Sequence, residues 1–226
     1  MAGSLKDKKL GMIHSAAFTV QVVDKFIKEI IPEVTVAHLA DDTIQMANNE
    51  GEIGSCPKVN YAKFVQYAHN LEEYGVDLIM LACSTFNRAV EYARPMISTP
   101  MLQIDRPMMD LAVREGKRIG LLATVPTTVP ASERLLKKAA EDAGKTIDVT
   151  TRLCSEAFAV LKAGDVEKHN QMLMAEIDAL SGKVDAIVLA QLSMSALEPK
   201  LTSTKVPVYN SGRTAFNRIR QMLEER

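Results

Sequence analysis

The sequence has no tryptophan, only three cysteines in 226 residues, and aromatic residues at 5%. Three thiols (Cys56, Cys83 and Cys154) form an odd, sparse set, unlike a disulfide framework, so reduced thiols in a cytoplasmic protein are expected. No apolar run approaches the roughly 18 residues of a membrane span. The lysines near the N-terminus are followed by no apolar segment with a cleavage site, so no signal peptide is read. Neither sign of charge dominates: 27 Lys+Arg face 28 Asp+Glu, for a formal net charge of -1. That balance argues against a general electrostatic grip on nucleic acid or an anionic membrane. Motifs are scarce as well. The chain has no GxGxxG, no GxxxxGK(S/T) and no GxSxG, which removes the sequence grounds for a dinucleotide site, a P-loop or a nucleophile elbow. Its four histidines (His14, His38, His69, His169) show no HExxH spacing and no CxxC exists, so no metal site is expected.

What is present is alternation. Hydrophobic residues make up 47% and charged residues 24%, an ordinary globular balance. Strand-length aliphatic runs occur at 9–13, 34–39, 76–82 and 99–104, and again at 117–123, 147–151, 183–190 and 206–209. Between them lie stretches with helical spacing at 57–74, opened by Pro57, at 131–143, ended by Gly144, and at 165–181, entered through Gly164-Asp165. Near-continuous apolar strands separated by helices predict an α/β fold with parallel sheets covered on both faces.

The two sets of four strands also repeat. The segment from Leu10 aligns with that from Ile119, VDLIMLACST from Val76 with VDAIVLAQLS from Val184, and TPMLQIDR from Thr99 with VPVYNSGR from Val206, at offsets of 109, 108 and 107 residues. α/β units resemble one another, so any single block is weak, but three blocks at nearly the same offset predict two similar halves. The expectation is two four-stranded parallel-sheet domains related by a pseudo-twofold, comprising 1–98 plus 208–226 and 99–207. Ligands of such sheets bind beyond the carboxyl ends of the strands, so two facing halves would share one active-site cleft.

The loops after the strands carry His14-Ser15, Asp41-Asp42, Cys83-Ser84-Thr85, Thr124 with Thr127 and Thr128, Gln191 with Ser193, and Asn210-Ser211. The polar stretch 41–56 reads either as a lid or as a mobile surface loop. Asp41-Asp42 reads as a solvated pair before a cation or hydroxyl ligand, and the Met108-Met109, Met172 and Met174 stretches read as packing. Cys83 is the sharpest candidate for chemistry. A helix starting near Phe86 would offer it a positive dipole end and free N–H groups, which lower a thiol pKa. Taken alone, a cysteine beside aliphatic residues is more often an inert core residue; the polar Ser84-Thr85-Phe86-Asn87 that follows favours a loop thiol. Cys56 and Cys154 read as structural. A thiol among many hydroxyl and amide donors suits proton transfer at carbon beside a carboxylate, where an enediolate needs its oxygens stabilised.

VDLIMLACSTFN at 76–87, IGLLATVPTT at 119–128 and VDAIVLAQLSMSAL at 184–197 resemble the aspartate/glutamate racemase superfamily over nearly the whole chain. That superfamily includes hydantoin racemases, maleate isomerases and arylmalonate decarboxylases. The resemblance implies two facing α/β domains, a cofactor-independent reaction on a small carboxylate, and a catalytic cysteine at Cys83. It further implies substrate contacts at Ser84, Thr85, Asn87, Thr124, Thr127 and Thr128, and it allows a homodimer. Two departures matter. Gln191 stands where the family's second cysteine belongs, and Gln exchanges no proton near neutral pH. His14-Ser15-Ala16 stands where glutamate racemases carry Asp-Ser-Gly. The resulting expectation is one-sided proton transfer by Cys83 in a decarboxylase, isomerase or lyase reaction, with Cys83 as covalent nucleophile a lesser option. His14, Ser15, Gln191 and Ser193 would be further substrate contacts. A racemase with another base such as His14, or a binding protein without activity, are the alternatives.

Overall fold

A computed structural model describes residues 4–226. Along the chain run β1 (Lys9–His14), α1 (Phe18–Ile30), β2 (Thr35–Ala40), α2 (Asp42–Glu50), α3 (Lys58–Tyr74), β3 (Leu78–Leu81), α4 (Ala89–Ala93) and β4 (Met101–Gln103). Then follow α5 (Arg106–Glu115), β5 (Arg118–Ala123), α6 (Thr128–Asp142), β6 (Asp148–Leu153), α7 (Ser155–Lys162), α8 (Val166–Ser181) and β7 (Ala186–Leu189). A 3-10 stretch (Leu192–Ser203), β8 (Val208–Asn210) and α9 (Ser211–Glu224) complete it. All eight expected strands form, and they make two parallel four-stranded sheets of identical order, β2-β1-β3-β4 and β6-β5-β7-β8. The α/β reading and the repeat both hold.

The chain divides into two compact units, residues 1–104 with 212–226, and residues 105–211. The boundaries differ from the expected 98/99 and 207/208 because hydrogen bonding decides them. β4 pairs with β3 through Ile79↔Met101, and β8 pairs with β7 through Ile187↔Val208. Each sheet therefore keeps its fourth strand, and the chain changes unit only afterwards. In the first unit α9 packs on α1: the Phe26 and Phe216 rings stack with centroids 5.7 Å apart, and Arg220 donates to the Ile30 carbonyl at 2.8 Å. In the second, Arg106 of α5 reaches Asp142 of α6 at 2.8 Å.

The apolar pattern explains the layers. Successive strand residues point to opposite faces of a sheet. Ile119, Leu121 and Ala123 of β5 and Ala186 and Val188 of β7 join α5 and α6 in one core cluster, which buries Met108 and Met109. Leu122, Ile187 and Leu189 face the other way, with Leu173, Ile177 and Leu180 of α8; Met172 and Met174 pack at its edge. In the first unit Ile13, Ile79 and Leu81 pack with Phe64, Leu71 and Phe86. The repeated Val-Asp dipeptide has a physical role. Asp77 accepts from the Lys9 N–H at 2.8 Å, and Asp185 accepts from the Lys117 and Arg118 N–H groups at 3.0 and 2.8 Å, so each aspartate clamps the start of its unit's first strand.

Local signals behave as their chemistry dictates. Asp165 caps α8 by accepting from the Lys168 N–H at 3.0 Å, and Gly144 after α6 adopts a left-handed φ of 63°. The stretch 41–56 is not an irregular loop over most of its length. Residues 42–50 are helical, because Asp41 caps α2 at the Thr43 N–H and Ile44 inserts into the core.

Candidate functional site

In the first unit, β1 and β3 end side by side and deliver His14-Ser15 and Cys83. Cys83 is 7% exposed and belongs to the cluster of Ile13, Leu81 and Phe86. Ser84 and Asn87 beside it are buried and Thr85 is half-buried. The Gln103 side chain holds this loop by donating to the Asn87 carbonyl at 2.8 Å. The expected helix from Phe86 does not form there. Residues 84–88 make turns, and α4 is a five-residue helix starting at Ala89, so no helix dipole bears on the thiol. Within this turn the Phe86 ring packs edge-on against Phe64, with centroids 6.0 Å apart.

His14 is fully buried and engaged at both ring nitrogens: Nδ1 lies 2.7 Å from the Thr19 hydroxyl and Nε2 lies 3.0 Å from His38 Nδ1. The Thr19 hydroxyl spends its one proton on the Ala16 carbonyl at 2.7 Å. It therefore accepts from His14 Nδ1–H, and His14 Nε2 accepts from His38 Nδ1–H. This chain of donors fits a neutral imidazole. Burial, with the neighbouring His38, pushes the His14 pKa down to about 4. Ser15 donates to Gln45 of α2 at 3.3 Å, and Asp42 accepts from the Ala17 N–H at 2.7 Å. Burial would raise the Asp41 carboxyl, but hydrogen bonds from Thr43, Tyr67 and Lys63 outweigh it and hold the pKa at about 2. Gln45 and Thr19 went unnoticed in the sequence, and His38 was weighed there only as a metal ligand. For His38 the signal was its position two register steps before the end of a strand pairing with β1.

In the second unit, Gln191 and Thr124 meet. The Gln191 Oε1 atom accepts from the Thr124 N–H at 2.6 Å, the Thr124 hydroxyl at 3.0 Å and the Val125 N–H at 3.2 Å. Two consecutive backbone N–H groups converging on one oxygen form a nest of the kind that holds anionic oxygens. Here the carboxamide oxygen fills it. The residues expected around it behave differently from one another. Thr127 sits at the N-cap of α6 without capping it, and its buried hydroxyl has no hydrogen-bond partner among the described residues. Ser193 is half-buried in the 3-10 stretch, and Thr128 is buried at the start of α6.

Cys154 precedes α7 half-buried against the α8 core, and Cys56 lies half-buried before α3, where burial pushes its thiol pKa up. No group of three or more His, Cys, Asp and Glu side chains among the described residues is placed to hold a metal ion. No described helix is long and apolar enough to cross a membrane.

Comparison with known proteins agrees with this arrangement. A glutamate racemase from Aquifex aeolicus is 28% identical over 187 residues, covering 80% of this chain and 69% of the relative. The broad specificity amino-acid racemase RacX from Bacillus subtilis is 25% identical over 174 residues, covering 70% of this chain and 75% of the relative. Among solved structures, a putative Asp/Glu racemase from Yersinia pestis superposes with a TM-score of 0.74 at 17% identity, over 96% of this chain and 99% of that one. Aspartate racemase from Picrophilus torridus gives 0.69 at 16% identity, over 96% and 94% of the two chains. The model of the Asp/Glu/hydantoin racemases matches residues 11–219, so this chain, with its paired parallel sheets and its cysteine at the end of β3, belongs to that family.

Proposed function

We propose that this racemase-family enzyme moves a proton at the carbon next to the carboxylate of a small acid or dicarboxylate, with Cys83 as the sole proton-transferring thiol. The observation that carries this reading is Gln191. It occupies the position in the second sheet that Cys83 occupies in the first, two residues past β7 as Cys83 is two residues past β3. Its oxygen is committed to three donors, and a carboxamide exchanges no proton near pH 7. Its NH₂ group is left to orient a substrate oxygen.

The proton balance is simple. Loss of CO₂ leaves an enediolate, and so does transfer of an α-proton to the Cys83 thiolate, which thereby becomes the thiol; the two enediolate oxygens need donors already in place. Ser84, Thr85 and Asn87 beside Cys83 supply donors of that kind. The Cys83 S–H then transfers its proton to carbon, and the thiolate left behind is reprotonated from water. One acid gives one face of attack and one enantiomer.

The names of the relatives favour a second reading, racemisation of an amino acid, which needs a base on the opposite face of the carbon. His14 serves it poorly, since its Nε2 lone pair already accepts from His38. The deciding experiment presents both enantiomers of small amino acids, and substituted malonates, to the enzyme in D₂O. Product deuterated on one face as a single enantiomer supports the one-sided reaction. Interconversion of both enantiomers with α-proton exchange overturns it in favour of racemisation.

A further inference from the structure

The first unit carries a second concavity that plays no part in this reading. It is a groove of about 1020 Å³ between α3, α4 and the turn at 54–56, lined by Tyr61, Val65, Arg88, Tyr92, Met96 and Cys56 among others. Its volume matches sites for drug-sized ligands, typically about 300–1,000 Å³. The Tyr61 and Tyr92 rings meet with centroids 4.7 Å apart at an interplanar angle of 59° and form an angled aromatic shelf, backed by Phe86 at 5.4 Å from Tyr61. Tyr92 and Met96 are 46% and 58% exposed, unusual for side chains of their size grouped on one surface.

The charge around this shelf has one sign. No Asp or Glu lines the groove, whereas Lys58 and Arg88 do. Arg88 lies over the Tyr92 ring at 5.3 Å, and among the described residues neither cation has a carboxylate partner. His69 at the margin is the exception, within 3.4 Å of Glu73. Burial pushes the Tyr61 hydroxyl up to about 12 and raises the Cys56 thiol, so both stay neutral and cancel none of the positive charge. A second copy of the chain is the wrong occupant. A twofold contact sets the same patch against itself, which would bring Lys58 and Arg88 of one copy toward those of the other.

We propose that this groove is a binding site for a small amphiphilic carboxylate, its flat apolar body on the Tyr61–Tyr92 shelf and its anionic head between Arg88 and Lys58. The probe is 2-naphthoate, with 2-naphthalenemethanol as its neutral counterpart. Because the chain contains no tryptophan, naphthalene fluorescence reads out binding against a low background. The expected result is saturable 1:1 binding of 2-naphthoate, at least tenfold weaker for the alcohol and at least tenfold weaker in Arg88→Gln and in Tyr92→Ala. Arg88→Lys, which keeps the charge, should retain more affinity than Arg88→Gln. Circular dichroism melts of each variant separate lost binding from lost folding. Binding unchanged in Arg88→Gln and Tyr92→Ala overturns the proposal, since the carboxylate then sits elsewhere. So does absence of saturable binding. A sedimenting dimer that Met96→Asp dissociates also overturns it, because the groove would then be covered by a second copy.

Discussion

Gln191 and Thr124 are joined twice through one oxygen, Oε1 of Gln191, which accepts both the backbone N–H and the hydroxyl of Thr124. With the Val125 N–H as third donor, a side chain from the end of β7 closes the loop that leaves β5. Thr124 is 1% exposed, so water has little access to replace the acceptor. Removing a buried partner leaves unpaired donors, at about 1–3 kcal/mol. Gln191→Leu should therefore lower the unfolding free energy in urea by about that amount. Gln191→Glu, which keeps an oxygen in the nest, should lose much less at neutral pH. Equal stability of Gln191→Leu and the parent would show that the three donors need no side-chain acceptor.

Cys83 sits in the other unit at the equivalent place, a small buried side chain in the core cluster. Cys83→Ala removes one sulfur from a cluster otherwise built of Ile13, Leu81 and Phe86. If the thiol is the general acid, kcat/KM for the substrate found in the enantiomer and malonate screen should fall at least about 100-fold. The melting temperature should move by only a few degrees. A variant that fails to fold would make Cys83 a packing residue. Cys56→Ala and Cys154→Ala provide the comparison and should leave turnover near that of the parent.

How far the sequence could be read depended on whether a feature was local. Eight aliphatic runs announce eight strands, and the Val-Asp pairs at 76–77 and 184–185 announce the repeat because each aspartate clamps a strand of its own unit. Gly144 and Asp165 mark helix ends by backbone chemistry alone. Helix α2 was missed because its sequence is mostly polar and one of its two buried side chains, Asn48, is polar too, leaving Ile44 as its single buried aliphatic anchor. The unit boundaries were missed by a few residues because pairing of β4 and β8 is a tertiary fact. Turns at 84–88 displaced a helix that composition favoured. At the site, residue types were legible and partners were not. That His14 is sealed by His38, or that Gln191 serves Thr124, follows only once strand order is known.

Gly11 tests the packing that supports the first sheet. A Cβ placed there would lie 2.8 Å from Leu71 Cδ1, closer than real contacts allow, so α3 rests directly on the backbone of β1. Gly11→Ala should destabilise the fold by about 1–3 kcal/mol through overpacking. Leu71→Ala alone leaves a cavity and should cost about 2–5 kcal/mol. Combined, the two changes relieve the clash, so the double variant should be more stable than the sum of the single losses requires. Urea titrations of the four proteins measure that coupling. Strict additivity would mean that β1 and α3 separate to admit the methyl without involving Leu71.

His14 links stability to pH. Its folded-state pKa of about 4 lies below the ordinary histidine value of 6.5, because the ring is buried and its Nε2 lone pair is occupied by His38. Above pH 6.5 the ring is neutral in both folded and unfolded chains, and the full stability is present. Between about 6.5 and 4 the unfolded chain binds a proton that the folded one refuses, so unfolding becomes easier as pH falls. Below about 4 both states are protonated and the loss levels off. A shift of this size corresponds to about 3 kcal/mol at most, since each pKa unit is worth about 1.4 kcal/mol. The His38 pKa is also lowered, chiefly by burial, and adds to the loss in the same direction. Urea unfolding at pH 7.5, 6 and 4.5 should show the decline, and the difference between parent and His14→Gln should shrink over that interval. Imidazole proton resonances give the direct test. A His14 that titrates near 6.5 in the folded protein would contradict the Thr19–His14–His38 bonding. It would also return the residue to contention as the second base of a racemase.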